Sequence, residues 1–382
     1  MKRFQLMMPA LGLFLFSQLA QAGWTPTQRL TWSMGNSGVP AAGHDSFGNL
    51  YVFWQNDSGG NAEIYYKKST DSGTTWLKSQ RLTWTSGNST QPALAISSSG
   101  DLHVLWEDDS PGNYEIYYKK STNGGASWTA SQRLTWNSGS SLAPAIDVDN
   151  SGNPYVVWFD STPGNEEIYF KKSPDEGATW GLSQRLTWNA GDSSHPAIAV
   201  DSSGHINVVW HDDTSGNYEI YYKKSTNGGA GWAMSGRLTW TSGGSLVPHI
   251  AADTFGLTHV VWYEDTSTFP EIYYTKTTDG GASWLKGQRI TWTSGNSRDP
   301  AIAADPFGYI HLVWTDLTPG NWEIYYKKGT GGGAAWTAIQ RLSWTPGDSY
   351  QPDIAVDGSG NLYLVWHDYT PGNSEIYFKR GT

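Results

Sequence analysis

The sequence contains no cysteine. That excludes disulfides and thiolate chemistry, so an exported form must be held by its core or by ring closure. Helical periodicity is also missing, and the hydrophobic pattern is that of short strands between tight turns. Beyond the first residues no segment is apolar enough for a membrane helix, so membrane insertion is not expected. Basic residues are scarce: 25 Lys and Arg stand against 35 Asp and Glu. An acidic surface repels nucleic acid and anionic membrane, and neither is expected as a partner. What the chain has in quantity is glycine (44 residues), tryptophan (22) and tyrosine (21). Glycine suits tight turns, and the aromatic residues supply a core where aliphatic ones are few.

Residues 1–22 read as a secretory leader. Lys2 and Arg3 precede an apolar run from Phe4 to Phe16, and Ala20-Gln21-Ala22 forms a small-residue cleavage site before Gly23. Removing Lys2 and Arg3 leaves 23 basic residues against 35 acidic ones, a net charge of −12. A secreted protein is expected, with residues 23–382 as one domain. It would act outside the cell, at the cell surface or in the periplasm.

The remainder is one unit copied seven times. The arginine of "QRLTW" or a close variant recurs at Arg29, Arg81, Arg133, Arg185, Arg237, Arg289 and Arg341, always 52 residues apart. Three tryptophan columns, beginning at Trp24, Trp32 and Trp54, keep the same period, and only Trp322 falls outside them. Each unit holds four strand-like runs, in the fourth copy "HPAIAVD", "HINVVWHD", "YEIYYKKS" and "WAMSGRLTW". Four strands at this period predict an all-β chain, a seven-bladed β-propeller of four-stranded blades. "INVVW" is apolar on both faces, as a sheet between two neighbours requires. Trp24 to Trp32 should supply the outer strand of the blade begun by residues 350–378. Pairing the two ends in one blade closes the ring and removes an open edge.

Six copies carry a turn of the form Ser/Thr-x-Asp-x-Gly-x-x-Trp: "STDSGTTW", "STNGGASW", "SPDEGATW", "STNGGAGW", "TTDGGASW" and the degenerate "GTGGGAAW". Asp71, Asn123, Asp175, Asn227 and Asp279 hold the acid position, and Gly331 replaces it once. Such a side chain caps the amides of a tight turn while the tryptophan enters the core, which is structural work. The turns resemble the Asp-box, or BNR repeat, of the sialidase-like β-propeller superfamily. The resemblance covers the whole of residues 23–382. It implies boxes between third and fourth strands, on the face away from an active site. Sialidases also hold a carboxylate with three arginines, beside an acidic acid/base and a tyrosine–glutamate nucleophile pair. Here only Arg298, in "SRDP", resembles the element carrying the first of those arginines, and no catalytic set is recognisable.

Two columns are filled identically seven times, the arginines above and the glutamate of "EIY" at Glu63 and its repeats. They form either a repeated scaffold pair or a ring of identical ligand contacts. Pairing is expected, because a buried repeated charge needs a repeated partner. Positions that vary within the fixed frame point instead to a unique site. One such column precedes a fixed proline: Val39, Gln91, Ala143, His195, Val247, Asp299 and Gln351. With Arg298 and Tyr350 it should ring the channel mouth. The loop between second and third strands adds Asp108, Asp160, Asp212, Asp316 and Asp368, then Tyr114, Tyr218 and Trp322. Carboxylates and amides beside exposed aromatic rings suit sugar hydroxyls and the C–H face of a pyranose, although turn-forming acids on a solvated rim would leave the same trace. The expected partners are glycans or extracellular proteins, bound at the loop-rich face without catalysis. A sialidase-like hydrolase with a divergent site, or an adhesive scaffold, are the alternatives. No cofactor or metal is expected. His103, His259 and His311 share one strand position and read as packing residues; His195, His211 and His249 could approach one another across two adjacent blades, but no metal-ligand spacing supports a site there.

Overall fold

The structure is a computed structural model that describes residues 23–265 and 268–382. The expected leader lies outside these residues. Among them every regular element is a β-strand. Seven antiparallel sheets follow one another, six of four strands and the sixth blade with a short fifth, and all but the closing one are built from successive strands. In blade 2 these are Ser89–Ile96, Leu102–Asp108, Glu115–Ser121 and Gln132–Arg133, from the axis outward. Blades 1 to 6 run in chain order from Ser37 to Arg341. Blade 7 combines Ser349–Val356, Leu362–Asp368 and Glu375–Gly381 with the N-terminal strand Gln28–Arg29. Gln28 pairs with Phe378 and Arg29 with Tyr377, so the ring closes as expected.

The second strands of blades 2, 3, 4, 6 and 7 are buried along their whole length, because their apolar residues face neighbouring blades on both sides. Core clusters accordingly lie between blades. Tyr51, Phe53 and Tyr66 of blade 1 pack against Leu102, Val104 and Trp106 of blade 2. The box tryptophans fasten one blade to the one before it. Trp128 meets Tyr66 edge to face at 5.5 Å, and Trp24 meets Tyr326 at 5.1 Å across the closing junction. Edge-to-face pairs contribute roughly 1 kcal/mol beyond the area they bury.

The outer strand is only two residues long and cannot be held by its ladder alone. The repeated arginine and glutamate supply what is missing. Every blade has this ion pair, at 2.5–2.9 Å. In blade 2 the Glu115 side chain is fully buried and takes Arg133 at 2.8 Å and the Asn137 amide at 2.8 Å. Arg133 also donates to the Thr135 carbonyl at 2.7 Å. Both columns are therefore scaffold.

In the boxes, Asp71 accepts from the Thr75 amide at 2.8 Å and from the Thr75 and Ser69 hydroxyls, which hold its carboxyl down at about 2. Asp175 and Asp279 repeat these contacts, while Asn123 and Asn227 accept one amide each. The sixth box lacks the cap. Gly331, Gly332 and Gly333 all take left-handed φ, and a short extra strand, Ala335–Trp336, pairs with the third strand. A non-glycine residue resists such a run. His103, His259 and His311 are buried against Tyr118, Tyr274 and Tyr326 at 2.7–2.9 Å, which makes them packing residues.

Removing one partner of a buried ion pair leaves the other uncompensated. Arg133→Ala should cost about 3 kcal/mol of stability in urea denaturation. A loss below about 1 kcal/mol would show that the pair is not what holds the outer strand.

Candidate functional site at the channel mouth

The loop after each outer strand and the loop between second and third strands meet on one face. Asn61, in the latter loop of blade 1, donates to the Thr85 carbonyl at 3.2 Å, and Asn88 donates through its amide to Asp109 at 2.6 Å. The Asp-boxes lie at the other end. On the loop face each inner strand breaks register at a bulge, as between Thr90 and Ala93. The bulged residues are the variable column, Val39, Gln91, Ala143, His195, Val247, Asp299 and Gln351. All seven take φ between 47° and 53°. Left-handed backbone is unfavourable for such side chains, above all for the β-branched Val39 and Val247. Strain repeated at one ring of positions marks a place where backbone geometry is imposed.

Three of the bulge amides are satisfied by the preceding blade. Gln91 donates to Gln55 at 3.1 Å, Ala143 to Glu107 at 2.9 Å and Val247 to His211 at 3.1 Å. The acceptors belong to a second variable column, directly after the buried tryptophan: Gln55, Glu107, Phe159, His211, Tyr263, Thr315 and His367. Because His211 Nδ1 accepts, the neutral ring carries its proton on Nε2, which lies 2.9 Å from the Ser194 hydroxyl. Burial raises the Glu166 carboxyl, and the neighbouring Ser194 hydroxyl opposes that rise.

Aromatic rings group in two sectors of the mouth. On blades 3 and 4, His195 stacks between Phe159 (5.8 Å) and His211 (4.8 Å), and Tyr218 meets His211 edge-on at 4.8 Å. On blades 6 and 7, Tyr350 contacts Trp322 (5.8 Å), His367 (5.8 Å) and Tyr369 (6.2 Å). Arg298 joins this sector, its guanidinium 5.5 Å from the Tyr263 ring. Burial, then the charge and hydrogen bond of Asp348, push the Tyr350 hydroxyl up to about 12, with Asp299 adding least. Arg298 Nε, Thr315 Oγ1 and His367 Nδ1 are buried without a protein partner. Such atoms occur elsewhere too, chiefly repeated indole nitrogens and scaffold glutamate oxygens; these three differ in lying together on two adjacent blades at the mouth.

Burial sets the charge of the mouth. It pushes His211 down to about 3 and His367 to about 4, and lowers His195, so these rings are neutral at pH 7. It raises Glu107, which its Ala143 and Thr90 hydrogen bonds oppose. It raises Asp299 as well, against the pull of Arg298. Deeper in the channel are Asp147, His249 and Asp353. Burial raises both carboxyls, Asp147 to about 6, and lowers His249.

The structure thus brings Gln91, His195, Arg298, Asp299, Tyr350, Gln351, Tyr114, Tyr218 and Trp322 to the loop face. It does not bring the five aspartates there. Asp108, Asp160, Asp212, Asp316 and Asp368 are at most 1% exposed. Each accepts from a serine hydroxyl of its inner strand, as Ser89 to Asp108 at 2.6 Å, and from the amide two residues on. They pin the loop from beneath because each is the last residue of its second strand, where neighbouring blades cover both faces. Of the nine arginines among the described residues, seven are in the glutamate pairs and Arg380 bonds Asn361 at 2.9 Å. Arg298 alone remains at the mouth, so no three-arginine carboxylate cradle forms. No group of three metal-ligating side chains occurs among the described residues.

No family model and no curated protein matches the chain. Solved structures match its fold. An ulvan lyase, a polysaccharide lyase solved with a glucuronate–sulfated rhamnose ligand, is 12% identical and superposes with TM-score 0.65 over 91% of this chain and 94% of its own. A protein of unknown function from Dyadobacter fermentans is 14% identical, with TM-score 0.59 over 94% and 99%. The intramolecular trans-sialidase of Ruminococcus gnavus is 12% identical, with TM-score 0.54 over 92% and 96%. At these identities the likeness shows a sialidase-type propeller fold and nothing of chemistry.

Asp147 gives the channel a pH signature. Its ordinary value is 3.8 and its folded value about 6, so the unfolded chain ionises it first. The stability it contributes is complete below 3.8 and is lost as pH rises through 6. Wild-type melting temperature should therefore fall relative to Asp147→Asn between these pH values. Parallel curves would contradict the buried, protonated carboxyl.

Proposed function

We propose that the protein is an exported, non-catalytic propeller that binds glycans at its channel mouth, chiefly in the sector of blades 5 to 7. The observation that carries this reading is the coincidence of three unsatisfied buried polar atoms with the Trp322–Tyr350–Tyr369 cluster. Aromatic faces take the C–H face of a sugar ring, and fixed polar groups take its hydroxyls. The neutral histidines and the single arginine suit an uncharged or monocarboxylated glycan. Arg298 would receive the carboxylate as a charge-assisted hydrogen bond. Structural neighbours acting on polysaccharides and sialosides, among them a sialidase from a Hadza microbial source, agree with a carbohydrate ligand. Export rests on the leader-like residues 1–22.

Hydrolysis is the second reading, favoured by one observation: a buried mouth carboxyl, Glu107, whose pKa burial raises. A glycan array probed with residues 23–382 separates the two. Binding without product release is expected, with Tyr350→Ala about tenfold weaker and Glu107→Gln nearly unchanged. Turnover of an arrayed glycan that disappears in Glu107→Gln would establish the hydrolase instead. A blank array from folded protein would sink both.

A further inference from the structure

One departure from sevenfold symmetry lies on the side wall, away from the mouth. In six blades a third-strand lysine, Lys67, Lys119, Lys171, Lys223, Lys327 or Lys379, reaches the preceding blade. Its ammonium donates to the carbonyl of the outer-strand leucine or isoleucine at 2.5–2.8 Å. It also lies 5.2–5.8 Å from the centroid of an exposed tryptophan on that blade. Blade 5 has Thr275 here, and its hydroxyl donates to the Leu285 carbonyl of its own blade at 2.6 Å. Among the described residues no lysine reaches the Leu238 carbonyl or Trp240. Gly236 replaces the glutamine of the other six outer strands, and Glu264 the shorter acid or amide of the other second strands. Leu238 is left only partly buried, while its six counterparts are 1–2% exposed. A cavity of about 1190 Å³ opens between blades 4 and 5, lined by Trp240, Trp262, Tyr273, Trp284, Leu238 and Glu264.

We propose that this cleft receives the primary ammonium of a lysine side chain presented by a partner protein. The molecule itself identifies the occupant, because the same frame holds a lysine six times. An ammonium over an indole face gains cation–π attraction, and more when partly desolvated. The cleft's own cations leave the place open. Arg237 is bound to Glu219 at 2.6 Å and lies 5.7 Å from the Trp240 ring, and its six counterparts lie similarly close to theirs beside the lysine; Lys224 is bound to the Gly280 carbonyl at 2.9 Å, and Lys286 is exposed. Glu264 adds a carboxylate, with the Trp262 indole 3.3 Å from it. A protein-borne lysine is favoured over a free amine because Met234 and Leu285, 93% and 55% exposed, border the cleft and would pack beside it.

The test is calorimetric titration with the peptide Ac-Leu-Lys-Leu-NH2, its Nε-acetyl form and butylammonium chloride. One equivalent of peptide should bind with a Kd of ~1 mM or tighter. The acetylated peptide and butylammonium should each bind at least about tenfold more weakly. Thr275→Lys restores the internal lysine and should abolish binding. Lys327→Thr opens the equivalent cleft between blades 5 and 6 and should raise the stoichiometry to two. If Thr275→Lys does not fold, the Lys327→Thr stoichiometry decides. Absence of saturable binding at ~20 mM, indifference to acetylation, or an unchanged stoichiometry would overturn the proposal. Butylammonium binding as tightly as the peptide would overturn its protein-borne part.

Discussion

A carboxylate buried in every blade is the constraint on which the rest depends. A glutamate with no access to water must find donors, and its blade supplies them from one arginine and one loop amide. Those donors belong to the outer strand and to the loop that follows it. Compensating the charge therefore fixes two segments that a two-residue ladder would leave free. The loop so fixed delivers the chain to the bulge at the mouth. Scaffold electrostatics and site geometry are in this sense one arrangement.

The bulge converts an identical frame into a varied surface. Its left-handed residue turns an amide toward the preceding blade, where the residue after the buried tryptophan receives it in three cases. Where that residue is Phe159, Tyr263 or Thr315, it contributes a ring or a hydroxyl instead. Each blade thus brings two neighbouring variable positions to the mouth, one on the inner strand and one on the second. Divergence concentrates there because the flanking positions are committed to packing between blades. The side wall diverges by another route: exchanging one lysine for threonine removes a bridge between blades and exposes what the bridge covered.

The fold was legible because its signals repeat. Seven arginines at a fixed interval, three tryptophan columns and four strand-like runs per copy leave few architectures, and the split closing blade followed from where Trp24 falls in the period. The arginine–glutamate pair was legible from the need to neutralise a repeated buried charge. The site was legible in part. Varying positions before the fixed proline pointed to the mouth, and Arg298, Tyr350 and Trp322 lie there. The aspartates misled because an acid near a loop reads as rim. Burial inverts that meaning, and a serine hydroxyl directly opposite on the neighbouring inner strand, 19 residues away in sequence, satisfies each of them. Glu107, Tyr263 and His367 were passed over, and His211 was weighed only as a metal ligand, although their column is as variable as the one before the proline. That variability was the available signal. Their contacts cross between blades some 36 residues apart, as from Glu107 to Ala143, and no local pattern announces them.

Assignment of the 22 tryptophan indole signals by NMR, followed through a titration with an array-selected glycan, tests the central claim most directly. The account predicts that Trp322 shifts while the outer column, Trp32 and its six repeats, stays in place. Shifts throughout the outer column with Trp322 unmoved would contradict it and move glycan recognition from the channel mouth to the side wall.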